Sequence, residues 1–258
     1  MENRIKKFQI ESKKYRHLYI PIIFFLFLCM DIGTVLMTAL DSRFQSKINY
    51  LESYPWLQLL NSYLIAKLIF TPTLLSVVIS RMVEIENTGH MWKMLKTSGW
   101  TVEEIFNIKF LSIFKKYTVF QMLEWILFLQ VGKTVGITIP IPTERFIITL
   151  LSIMAISFAI MTFHYFLSMV CENQLISLAF GVCGSLAGII GTLLPLSISK
   201  FIPYSYYAHL LSTEYVRIGE SQWIQKEVPL RLYPLLVSLL LGGFVFLWSR
   251  RKIKGLDI

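Results

Sequence analysis

The chain has 258 residues, of which 55% are hydrophobic and only 16% charged, at a formal net charge of +9. A soluble domain of this size carries about a quarter charged residues. The apolar residues also fall in long runs rather than at strand or helix period, which excludes a soluble fold and an alternating transmembrane barrel and leaves a bundle of membrane-spanning helices.

In chain order, "MENRIKKFQIESKKYRH" is too long and too charged for the n-region of a signal peptide, and the apolar run behind it is longer than an h-region. It reads as a cytoplasmic lead-in of modest amphipathicity, with Ile5, Phe8 and Ser12 near one face and lysines around them. Crossing about 30 Å of hydrocarbon takes roughly 20 helical residues. Six segments qualify, at about 18–40, 57–80, 110–131, 145–170, 175–196 and 231–249. The expected fold is therefore an all-α integral membrane protein, a single transmembrane domain over 1–258.

The second span holds Lys67 and Pro72, and the third holds Glu124. A charge inside a span is costly and reads by default as functional. Lys67 and Glu124 could pair within the bundle, or Lys67 could snorkel to the interface. Pro72 frees a carbonyl that neighbouring helices can satisfy.

Between the second and third spans lies a dense polar insert, "VEIENTGHMWKMLKTSGWTVEEI" at 83–105. Asn87–Thr88–Gly89 reads as a break. From His90 to Lys96, Met91, Trp92, Met94 and Leu95 fall largely on one side of a two-turn helix, too short to be stable alone in water, which therefore needs something to dock against. Ser98–Gly99 ends it, and Thr101-x-x-Glu104 has the form of a capping box that starts the next helix.

After the third span, "VGKT" at 131–134 looks like the end of a phosphate-binding loop, but the required earlier glycine is Leu127 and no strand precedes it. No ATP site is expected in this chain. The turn at 171–174 reads as capped by Glu172 and Asn173. The fifth span sets Ser177, Gly181, Gly184, Gly188 and Gly191 at close to four-residue spacing, the pattern of tight helix packing within the chain or against another subunit. The segment 197–231 carries Tyr204, Tyr206, Tyr207, Tyr215 and Trp223, which suit an interface, and reads as one or two short helices at the outer surface.

Basic residues set the expected orientation. The N-terminus (six), the 81–116 region (six) and the C-terminus (four) fall on one side, against two, two and four in the loops at 41–56, 132–145 and 197–231. Both termini and the insert are expected in the cytoplasm. That distribution, at the ends of apolar runs, also excludes a nucleic-acid surface. Cys29, Cys171 and Cys183 lie in or next to spans without paired spacing, and His17, His90, His164 and His209 form no ligand motif, so neither a disulfide framework nor a metal site is expected. Glu103–Glu104 could begin an EExxxR protease motif, but the arginine position is Ile108. No enzymatic reading is supported.

Glu84 and Glu86 at the end of the second span, Gly89, then Met91, Trp92, Lys93 and Leu95 on a short helix, the Ser98–Gly99 break and Lys109 leading into the third span together resemble the permease subunit of type-2 ABC exporters. The break, often proline in that family, is Ser–Gly here. The basic lead-in, six spans and long loop before the last span extend the likeness over the whole chain. The His-x-Trp-Lys form at this size is similar to lantibiotic (bacteriocin) immunity permeases. The resemblance implies a coupling helix formed by Glu84, Glu86, Gly89, Met91, Trp92, Lys93 and Leu95, seated in a separately encoded ABC ATPase that binds ATP and Mg. It implies a second permease subunit, the same or homologous, in the cell membrane, and a membrane-active peptide as substrate. Export of a drug, a bacitracin-like antibiotic or an ion keeps the same fold, and a non-transport membrane sensor or scaffold is the alternative from another class.

Overall fold

The computed structural model describes residues 11, 14–15, 18–50, 54–88, 97–171, 173–218 and 222–254. The chain enters helix α1 (Ile20–Ala39) with Pro21 in the first turn, where its missing N–H costs nothing. Asp41 then caps a one-turn helix, α2 (Ser42–Gln45), by accepting from Arg43 N at 2.7 Å and Phe44 N at 3.3 Å. Two long helices follow, α3 (Pro55–Thr88, 34 residues) and α4 (Val102–Thr134, 33 residues). α3 is helical on both sides of Pro72. The expected capping box starts α4: Thr101 Oγ1 accepts from Glu104 N, and Thr101 N donates to the Glu104 carboxylate, each at 3.2 Å. Gly99, at φ +79, supplies the left-handed turn just before it. α5 (Thr143–Val170) and α6 (Leu175–Leu193) complete the middle of the chain, with Asn173 Oδ1 accepting from Leu175 N at 2.9 Å in the turn between them.

The segment 197–231, expected at the outer surface and called the outer segment on that expectation, departs from the expectation of short helices alone. It contains a single turn α7 (Leu196–Ser199) and a 3-10 helix (Pro203–Leu210), but then an antiparallel hairpin, β1 (Thr213–Ile218) with β2 (Gln222–Glu227), in the register Val216 opposite Ile224. The last helix, α8, runs from Tyr233 to Lys254.

Among the described residues, five helices, α1, α3, α5, α6 and α8, are long and apolar enough to cross a membrane. The sixth expected span, 110–131, lies inside α4, which is long enough but falls short of the same apolarity. The reason lies in its sequence: Lys115, Lys116, Gln121, Glu124 and Gln130 interrupt the run, and Gln121 and Glu124 are turned into the bundle. α3 and α5 form the centre, with 67% and 61% of their apolar windows buried, against 17%, 33% and 22% for α1, α6 and α8. α3 packs on α1, α5, α6 and the 3-10 helix, and α8 packs on α5. The outer helices present bare apolar faces, such as Phe25, Leu26 and Met37 on α1 and Leu240 and Phe244 on α8. Apolar surface this extensive is untenable in water and suits contact with lipid tails.

The glycines of α6 are packing positions within the chain. A Cβ at Gly181 would lie 2.1 Å from Ser76 Oγ of α3, and one at Gly188 would lie 2.8 Å from the Tyr204 carbonyl oxygen and 2.9 Å from a Leu68 methyl. Gly184 abuts the Tyr204 ring in the same way. α6 can thus approach α3 and the 3-10 helix at backbone distance.

Candidate functional site

Lys67 projects from α3 into the bundle rather than snorkelling to its edge. Its Nζ donates to Asp31 Oδ2 of α1 at 3.2 Å and to Glu124 Oε2 of α4, and all three side chains are fully buried. Asp31 falls near the middle of a 20-residue helix, so the cluster lies well inside the apolar layer. The ammonium also lies 5.2 Å from the ring centroids of both Tyr63 and Phe120. Electron-rich faces close off the sides that the carboxylates leave open.

Polar side chains extend the cluster across the bundle. The Tyr63 hydroxyl faces Glu124 Oε2 at 3.5 Å and accepts from Gln121 Nε2 at 2.5 Å. Tyr117 donates to Gln121 Oε1 at 3.1 Å and shares a 2.6 Å bond with Ser157 Oγ of α5, which lies 2.8 Å from the Tyr207 hydroxyl of the 3-10 helix. Tyr63 is held from behind by the rings of Phe128 and Trp125, at centroid distances of 5.2 and 5.8 Å. One hydrogen-bonded network therefore runs from the charges on α1, α3 and α4 to the outer segment. Two oxygens stand outside it: Asp31 Oδ1 and Glu124 Oε1 are buried without a hydrogen-bond partner.

A second buried lysine lies toward the other end of the same helices. Lys109 Nζ, on α4, donates to the Met82 carbonyl of α3 at 2.8 Å, to Tyr15 Oη at 3.2 Å and to Glu11 Oε1 at 3.1 Å. Glu11 also pairs with Lys14 at 3.0 Å. These contacts fasten the segment before α1 to the α3–α4 pair. Nearby, Arg250 of α8 reaches Glu103 at 3.2 Å.

The end of the bundle that carries the hairpin is closed by Arg145, which donates to Ser212 Oγ at 3.1 Å, to the Val228 carbonyl at 2.5 Å and to Glu227. His209 sits in the same cap between Ser199 Oγ, at 2.9 Å, and the Tyr233 hydroxyl. Burial, with the Arg231 charge adding to it, lowers its pKa to about 4.

Of the residues singled out in the sequence, the structure brings together Lys67 and Glu124 and seats Gly181, Gly184 and Gly188 against α3 and the outer segment. Glu84 lies toward the end of α3, paired with Arg81 at 3.3 Å. Gly89, Met91, Trp92, Lys93 and Leu95 fall outside the described residues, as does the side chain of Glu86. The third member of the cluster, Asp31, was missed, although an acid at the centre of an apolar run is a legible signal. Tyr63, Gln121, Tyr117, Ser157 and Tyr207 carry no such signal, because only the folded bundle brings them into line.

These features define a helical membrane protein with a charged cluster sealed inside its bundle. No protein-family model matches the sequence, and no curated protein matches it significantly.

Proposed function

We propose that the chain is the permease subunit of an ATP-driven type-2 ABC exporter in the cell membrane, with both termini cytoplasmic. It works with a separate ATPase subunit, which binds the nucleotide and Mg, and with a second permease copy or homologue. Its cargo in this reading is a lantibiotic or similar membrane-active peptide, expelled as self-protection.

The observation that carries this reading is the insert and what holds it. α3 and α4 are each about 50 Å long at about 1.5 Å per residue, against about 30 Å of hydrocarbon. Two helices of that length exceed the apolar layer, and in sequence they bracket the insert that resembles a coupling helix. An ATPase that moves this stretch moves α3 and α4 as rigid levers. α3 is also the helix at the centre of the bundle, so the motion reaches every neighbour it packs on.

The test replaces Trp92 and Leu95 with alanine and follows three properties: membrane insertion, co-purification with any ABC ATPase encoded in the same gene cluster, and resistance of the host to the peptide. Insertion is expected to persist while ATPase binding and resistance fall together. Retention of both by the variants refutes the coupling role.

A further inference from the structure

The Asp31–Lys67–Glu124 cluster holds two carboxyl groups and one ammonium, all fully buried in the bundle. With every group ionised its net charge is −1, and burial of all three side chains keeps bulk solvent from screening it. An uncompensated charge of this kind is costly, and two carboxylates crowded about one site do not both ionise readily. The unpartnered Asp31 Oδ1 and Glu124 Oε1 make the same point in hydrogen-bond terms: each is an acceptor with no donor. Lys67 Nζ contacts one oxygen of each carboxyl, and Tyr63 and Phe120 face the ammonium with their rings.

We propose that Asp31 and Glu124 hold one proton between them, so that the cluster is a neutral proton-binding site inside the membrane. The proton converts one orphaned acceptor into a donor and cancels the surplus charge in a single step. A monovalent metal cation would cancel the charge as well, but it cannot turn an acceptor into a donor. Among the described residues no group of three or more His, Cys, Asp or Glu side chains comes together, and a cation entering here would meet the ammonium at contact distance.

The groups facing the site come from each element packed around it. They are Asp31 of α1, Tyr63 and Lys67 of α3, and Gln121 and Glu124 of α4, with Tyr117, Ser157 and Tyr207 further along the network. The Gln121 amide interrupts the row of hydroxyls, and an amide does not readily pass a proton on. The network therefore orients Glu124 and does not conduct. The proton leaves only when α1, α3 and α4 separate enough to admit water, and its loss leaves a charge that opposes their closing again. Proton occupancy and the closed arrangement of these three helices are thus linked.

Infrared spectroscopy of the purified full-length protein in lipid nanodiscs, in deuterium oxide at neutral pH, reads this directly. Wild type is expected to show the carbonyl stretch of one protonated carboxyl, shifted by isotope labelling of Asp and Glu. Asp31→Asn and Glu124→Gln each leave a neutral pair with Lys67 and are expected to abolish the band, while Lys67→Met is expected to double it. Glu11, also buried among the described residues, lies apart from this cluster and pairs with Lys14 and Lys109. Absence of the band from wild type, or a band unchanged in both amide variants, overturns the proposal. The wild-type spectrum decides the matter even where a variant fails to fold.

Discussion

Lys67 is one side chain on which three helices depend. Deleting its charge leaves two buried carboxyls facing each other, whereas deleting Asp31 leaves the Lys67–Glu124 pair standing. Breaking a buried pair by removing one partner costs about 3–5 kcal/mol. Lys67→Met is therefore expected to lower thermal stability in detergent by about that much, and Asp31→Asn by clearly less; the opposite ranking would contradict the central place given to the lysine. His209 provides a second residue-scale test. Its pKa is held at about 4 against an ordinary value of about 6.5, so between those values the unfolded chain binds a proton that the folded chain refuses. Stability contributed by this group is intact above pH about 6.5 and declines as pH falls toward about 4. Denaturation midpoints across that window are expected to fall more steeply in wild type than in His209→Gln. At this scale the sequence was half legible. Lys67 and Glu124 stand out as charges in apolar runs, and Asp31 does too, but which charges meet depends on how the helices rotate.

The long helices were readable from hydropathy and from local capping, and Thr101–Glu104 closes its box as the spacing dictates. The hairpin was not read, though its signs are there. "TEYVRI" and "QWIQKE" are rich in β-branched and aromatic residues on either side of the short polar sequence "GES". The rings were assigned to an interfacial surface, and rings that suit a headgroup layer also suit a strand. In α4, Gln121 and Glu124 lower the apolarity because they serve the interior, while Lys115 and Gln130 are exposed. The small-residue stripe of α6 makes a firm prediction. Gly188→Ala places a methyl against the Tyr204 backbone and Leu68, and overpacking of this kind costs about 1–3 kcal/mol. It is expected to lower the melting temperature, while Gly243→Ala on α8, where nothing lies within 4 Å, changes it little.

Across the whole molecule, α3 ties the parts together. It lies at the centre of the bundle, carries the lysine at the core of the buried cluster, contacts the outer segment, and ends beside the polar insert. In the proposed function, a movement applied at that end would pass the charged site on its way to the far side. The sequence alone pointed to the insert as the place where a partner docks, and the proposed permease function stands on that point. Site-specific photo-crosslinking tests it most directly. A photoreactive residue placed at Trp92, in membranes from cells that also make the neighbouring ABC ATPase, is expected to yield a covalent adduct with that ATPase. Crosslinks to lipid or to this chain alone, with no ATPase adduct, would contradict it.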